Sequence, residues 1–168
     1  NMVYDPARFR PESPRETVGP VTSEQIWDRL RRFLDEMLPV AEEAGVRLAI
    51  HPDDPPLPAL RGAARLITHP DHFQRVLDLV PSPMNAVELC VGTVSEMPEG
   101  DVYETVDRYS KAGKLAYVHL RNVRGKAPHY HETFVDEGDT DMLRVLRILQ
   151  RNGYDGVLIP DHAPLLDC

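Results

Sequence analysis

NAVELC, residues 85–90, is the stretch whose reading decides the fold. It is short and mostly apolar, and it gives a strand ending at Cys90. Upstream, Pro70 and Asp71 open an amphipathic helix that runs through Val80 as DHFQRVLDLV. Downstream, a glycine-containing loop leads to a further helix near 101–112, and Gly113 stops it. Helix, strand and helix in succession make one unit of an alternating α/β chain.

The same grammar extends in both directions. A helix is expected from about Thr22 to Ala44: Thr22 and Gln25 stand at capping-box spacing, and Ile26, Leu30, Phe33, Leu34 and Met37 form one apolar face. Pro39 is expected to kink it and Gly45 to cap it. VRLAIH at 46–51 then reads as a buried parallel strand ending at His51 before the PDDPP loop. KLAYVHL places His119 near the end of a third strand, and a long polar loop leads to a helix from about Asp139 to Asn152. YDGVLIPDH is the fourth strand, closing on Asp161 and His162, and NMVY at 1–4 adds an edge. Strands alternating with helices of this length imply a parallel sheet. Four such units are half of a (β/α) TIM barrel, so residues 1–168 are read as a single partial barrel domain. An open doubly wound sheet is the rival, but its glycine-rich phosphate loop is missing. Half a barrel leaves raw sheet edges, which predicts either strands outside this sequence or a homo-oligomer.

Composition narrows the class. The 168 residues are 42% hydrophobic, enough for a core, and the net charge is −8. No basic run exists to displace counterions from phosphates, which argues against nucleic acid and anionic membranes. No apolar stretch approaches a membrane span and the N-terminus lacks the order of a signal peptide, so a cytoplasmic location is expected. The two cysteines, Cys90 in an apolar segment and Cys168 at the end, do not suggest a disulfide framework. The prolines clustered at 6–20, 52–58 and 81–83 read as rigid loops.

Each of the four strands ends in a residue able to bind a metal. Barrel enzymes keep their chemistry at the C-terminal ends of the strands, where His51, Cys90, His119 and Asp161 converge on one mouth. One such residue alone is more often a half-buried structural side chain; four in succession point to ligation. Two imidazoles, a thiolate and a carboxylate suit Zn²⁺, Fe²⁺, Mn²⁺ or Co²⁺ and disfavour Mg²⁺ and Ca²⁺.

The strings HPDDPP at 51–56, ELCVGT at 88–93, VHLRNV at 118–123, HETFVDEGDTDM at 131–142 and PDH at 160–162 resemble mannonate dehydratase in order and spacing. The resemblance implies a barrel of the xylose-isomerase-like kind that converts D-mannonate, a small sugar acid, to 2-keto-3-deoxygluconate with Mn²⁺ or Fe²⁺. The family's metal ligands fall on His51, Cys90, His119 and Asp161, and its catalytic histidine on His162. Members are considerably longer, with a catalytic tyrosine beyond the matching Asp-His pair and glycine where this chain has Ala163.

His162, beside Asp161, is therefore the candidate general acid or base. Arg121, two residues beyond His119, is a candidate to hold the substrate carboxylate. Asp53 and Asp54 are expected to line the mouth, and Glu88 shares the inward face of its strand with Cys90. His69 and His72 at a helix start are expected to be solvated, His129 and His131 to lie on the polar loop, and 136–141 to cap a helix rather than bind Ca²⁺. Two other functions fit the same residues: a metal-dependent sugar isomerase or epimerase, which usually prefers carboxylates to a thiolate, and a non-catalytic metal-binding fragment.

Overall fold

Thr22 begins the ordered helical frame: its hydroxyl accepts from the backbone N–H of Gln25, and the Gln25 side chain accepts from the N–H of Thr22. This capping box opens α1 (Ser23–Ala44), which continues through Pro39 and ends at Gly45 in the left-handed region, φ 66°. In a computed structural model covering residues 3–8, 20–162 and 164, α1 leads into a parallel sheet of the expected kind. Much of the first proline cluster, Ala163 and Cys168 lie outside the described residues.

The sheet comprises β2 (Leu48–Ile50), β5 (Asn85–Cys90), β6 (Leu115–His119) and β9 (Val157–Ile159), side by side in chain order and all parallel. Cys90 pairs with His119 across β5 and β6, so two candidate ligands are register partners. The connecting helices are α2 (Asp71–Leu79), α4 (Val102–Lys111) and α5 (Met142–Arg151). Asp101 and Asp141 cap the latter two by accepting from Glu104 and Arg144, which gives the DEGDTD segment its helix-capping end. Short pieces complete the order: β1 (Val3–Tyr4), β3 (Ala59–Leu60) and β4 (Ala63–Ala64).

Two connections differ from the sequence expectation. Helix α3 (Val91–Glu96) starts directly after Cys90, where a loop was expected; six residues are too few to show a helical period. The long polar loop after His119 is a hairpin, β7 (Asn122–Lys126) against β8 (His129–Thr133), with β1 on its outer side. His129 and His131 thus lie on a strand. NVRGK and HYHET lack the apolar alternation of a strand because β-structure here is imposed by packing: β7 rests on α3, and Asn122 ties the hairpin to the segment between β8 and α5. The fully buried Asn122 amide donates to the carbonyls of Val135 and Thr140 and accepts from the N–H groups of Val123 and Thr140.

The core lies between the sheet and its helices. Phe73 and Val76 of α2, Val106 and Tyr109 of α4 and Val145 of α5 close over Val87, Leu89 and Val118, all essentially buried. Each large apolar side chain so buried contributes about 1.5–3 kcal/mol, which fixes the sheet and with it the strand ends. At the outer strand β9, Val157 and Leu158 stay exposed. No helix among the described residues is long and apolar enough to cross a membrane.

Candidate metal centre

The strand ends meet as the alternation of the chain requires. Ligand atoms of His51, Cys90 and His119 all lie within 4.8 Å of one another, close to the spacing that bonds of about 2.0–2.3 Å to a shared ion impose. Asp161 faces the group: its Oδ2 is 4.0 Å from Cys90 Sγ and 3.5 Å from His119 Nδ1. The backbone of Asp161 is left-handed, φ 63°, a conformation uncommon outside glycine and asparagine-like residues that is tolerated where the site needs it.

The tautomers agree with ligation. His51 Nδ1 donates to the Pro52 carbonyl at 2.6 Å, leaving Nε2 with a lone pair. His119 Nε2 stands 2.9 Å from Glu88 Oε1, while its buried Nδ1 has no hydrogen-bond partner among the described residues. A buried nitrogen lone pair next to a thiol and a carboxylate is what a metal site presents, so the residues fit a borderline divalent ion. The Cys90 side chain raises the His119 imidazole above its ordinary value, burial opposes this, and the neighbouring acids reinforce it. Glu88 also pushes the Tyr117 hydroxyl up to about 12, by a hydrogen bond first and with help from burial.

Beside the cluster, Arg121 is 1% exposed and surrounded by acids. Nη1 donates to Glu132 at 2.6 Å; Nη2 donates to Asp54 at 2.6 Å, Thr93 at 2.7 Å and Glu96 at 3.0 Å. Nε lies 3.7 Å from Asp161 Oδ2 and has no hydrogen-bond partner among the described residues. Gly92 makes room for this side chain, since a Cβ there would stand 2.6 Å from Arg121 Nε and 3.1 Å from its carbonyl oxygen. Burial, then the Asp54 carboxylate, push Glu96 up to about 9 despite Arg121. Burial alone would lower the guanidinium, but Cys90, Glu96 and Asp54 outweigh it and hold Arg121 charged. Tyr130 donates to Asp54 at 2.9 Å.

The two aspartates of the PDDPP loop part company. Asp53 accepts from the backbone of Leu66 and Ile67, both at 2.7 Å, and pairs with Arg65, closing its own loop; Asp54 reaches Arg121. His162 places Nδ1 2.7 Å from Glu132 Oε1 and Nε2 3.5 Å from Asp161 Oδ1. His69 and His72 are half-buried at the start of α2, each accepting a backbone N–H. Sequence reading missed Glu96, Glu132 and Tyr130. Glu96 carried a usable signal, an acid in the otherwise uncharged run VGTVSEM after Cys90.

A parallel barrel-type sheet bearing imidazole, thiol and carboxylate groups at its strand ends defines a xylose-isomerase-like half barrel with a cluster that could hold a metal ion. The sequence model of D-mannonate dehydratase (UxuA) matches residues 12–167. The chain belongs to that family. Mannonate dehydratase of Thermotoga neapolitana is 36% identical over 151 residues, covering 87% of this chain and 41% of that protein. That of Lactococcus lactis subsp. cremoris is 32% identical, covering 87% and 42%. The crystal structure of mannonate dehydratase from Streptococcus suis serotype2 superposes with a TM-score of 0.79 at 38% identity, covering 84% of this chain and 41% of that one. A xylose isomerase-like TIM barrel protein from Mycobacterium smegmatis, 14% identical with a TM-score of 0.64 and covering 85% and 46%, shares the fold. The chain spans about two fifths of the length of the curated relatives it matches.

Proposed function

We propose that this chain supplies the metal-binding half of an enzyme that dehydrates D-mannonate to 2-keto-3-deoxy-D-gluconate. The observation that carries the reading is the meeting of His51, Cys90 and His119 from three adjacent strands, with Asp161 facing them. These four residues hold the ion, for which we favour Mn²⁺ or Fe²⁺. When bound, it supplies Lewis acidity toward the carboxylate and hydroxyl oxygens of a sugar acid, offsetting the charge that builds up when a proton leaves the carbon beside the carboxylate.

The chain's own residues do the rest. Loss of water breaks that C–H bond and the neighbouring C–O bond, and the resulting enol settles to the 2-keto acid. His162, half exposed beside Asp161, is the group that moves a proton, through Nε2. Arg121 keeps a buried positive charge at the mouth, and its Nε–H, without a hydrogen-bond partner among the described residues, is the donor left for the substrate carboxylate. Asp54 borders the same space through Arg121, and Asp53 keeps the loop that presents His51 closed. A thiolate ligand suits a reducing compartment, for which we favour the cytoplasm. The free edges of the sheet suit assembly with further strands or with a second copy.

The test is turnover of D-mannonate by the full-length protein, before and after chelation and with Mn²⁺ or Fe²⁺ returned. Formation of a 2-keto-3-deoxy acid that chelation abolishes and the ion restores is expected. Isomerisation or epimerisation of a sugar without loss of water would assign the protein to the alternative chemistry of this fold, and ion binding without turnover to a non-catalytic role.

A further inference from the structure

We infer that Glu132 is a positioning residue that locks the His162 ring with Nε2 toward the metal cluster, and that Arg121 in turn holds Glu132. The inference rests on the reading of His162 as the proton-moving group. Glu132 sits on β8 opposite Val123 of β7, its side chain 2% exposed. Its Oε1 is 2.7 Å from His162 Nδ1 and 2.6 Å from Arg121 Nη1. As a carboxylate paired with the Arg121 guanidinium, Glu132 only accepts, so Nδ1 must carry the hydrogen. In the neutral ring the lone pair is then on Nε2, the nitrogen 3.5 Å from Asp161 Oδ1.

The need for such a lock comes from where His162 lies. Its side chain is 51% exposed and stands beyond the end of β9, where no strand pairing holds it. Glu132, by contrast, is carried by a paired hairpin strand packed over α3. Charge balance gives the same answer. Arg121 already meets the Asp54 carboxylate at 2.6 Å, one charge against one, so Glu132 is not needed to neutralise it. Glu132 reaches the His162 ring with the same oxygen that accepts from Arg121.

Two measurements on the full-length protein test this. In ¹⁵N NMR of histidine-labelled protein, with His162 assigned by its loss in H162A, the neutral ring should carry its proton on Nδ1. A proton on Nε2 overturns the inference, whether or not any variant folds. In kinetics, Glu132→Gln should lower kcat about 10- to 100-fold with KM and metal content unchanged, and Glu132→Asp should lose less. The same Glu132→Gln change in the H162A background should alter kcat by less than about two-fold, because the two residues act as one unit. An equal loss in both backgrounds, or full kcat in Glu132→Gln alone, overturns it. If the unsubstituted protein does not turn over D-mannonate, the dehydratase reading fails and the NMR result alone decides the Glu132–His162 pairing.

Discussion

Glu88 Oε1 stands 2.9 Å from Nε2 of His119, the ring nitrogen opposite the one that faces Asp161. A carboxylate gripping the far nitrogen of a metal-binding imidazole fixes its tautomer and makes the near nitrogen a better donor. Glu88→Gln should therefore weaken metal affinity about 10- to 100-fold although no ligand is removed. Competition with a chelator of known affinity measures this. Unchanged affinity would mean that Glu88 does not act through His119.

Cys90→Ser should lower metal content and activity together, because a neutral hydroxyl replaces a soft thiolate. Plasma emission gives the content and a turnover assay the activity. Full values for both would make Cys90 a small buried hydrophobe.

Glu96 gives the fold a pH dependence of unusual sign. Its carboxyl rises from an ordinary 4.5 to about 9 on folding, through burial first and the Asp54 charge second. The folded state thus binds a proton that the unfolded chain has released, and the stability this contributes is full below 4.5 and is lost as pH climbs toward about 9. Urea unfolding across that window should show a decline that Glu96→Gln flattens. Parallel slopes in the two proteins would rule out a neutral Glu96.

Asn122→Ala should cost about 3 kcal/mol or more, since each buried backbone group it leaves unpaired costs about 1–3 kcal/mol. Its amide satisfies Val135 and Thr140 carbonyls and accepts from Val123 and Thr140. Denaturant unfolding reads the loss directly; a change below about 1 kcal/mol would mean that water replaces the amide.

The 168-residue chain by itself should self-associate, because β2 and β9 are the outer strands of its parallel sheet and Val157 and Leu158 are exposed along β9. Light scattering of this chain, with a thermal melt alongside, measures it. A clean monomer that melts sharply would show the half barrel to be self-sufficient.

The strands and major helices were legible because each was written twice, in apolar period and in punctuation: Gly45, Gly113 and Gly153 each follow a helix and precede a strand. The meeting of His51, Cys90 and His119 was legible for the same reason, since a strand end is a position that sequence can name. What sequence could not name were partners joined only by folding. Arg121 meets Asp54, Glu96 and Glu132 from three separate elements, and no local pattern in NVRGK or HYHET announces the hairpin that brings Glu132 in. Helix α3 was hidden by its brevity and by the glycine inside it.

That glycine sets a limit for anyone engineering this protein. Replacing a helical glycine by alanine ordinarily gains about 0.4–1 kcal/mol by restricting the unfolded chain. At Gly92 the added methyl would press on the Arg121 side chain and its carbonyl oxygen, forcing the guanidinium out of its ring of acids. A thermostability screen that favoured such a helix would trade away the order of the barrel mouth, so Gly92 marks a position where hardiness and the arrangement of the strand-end cluster pull in opposite directions.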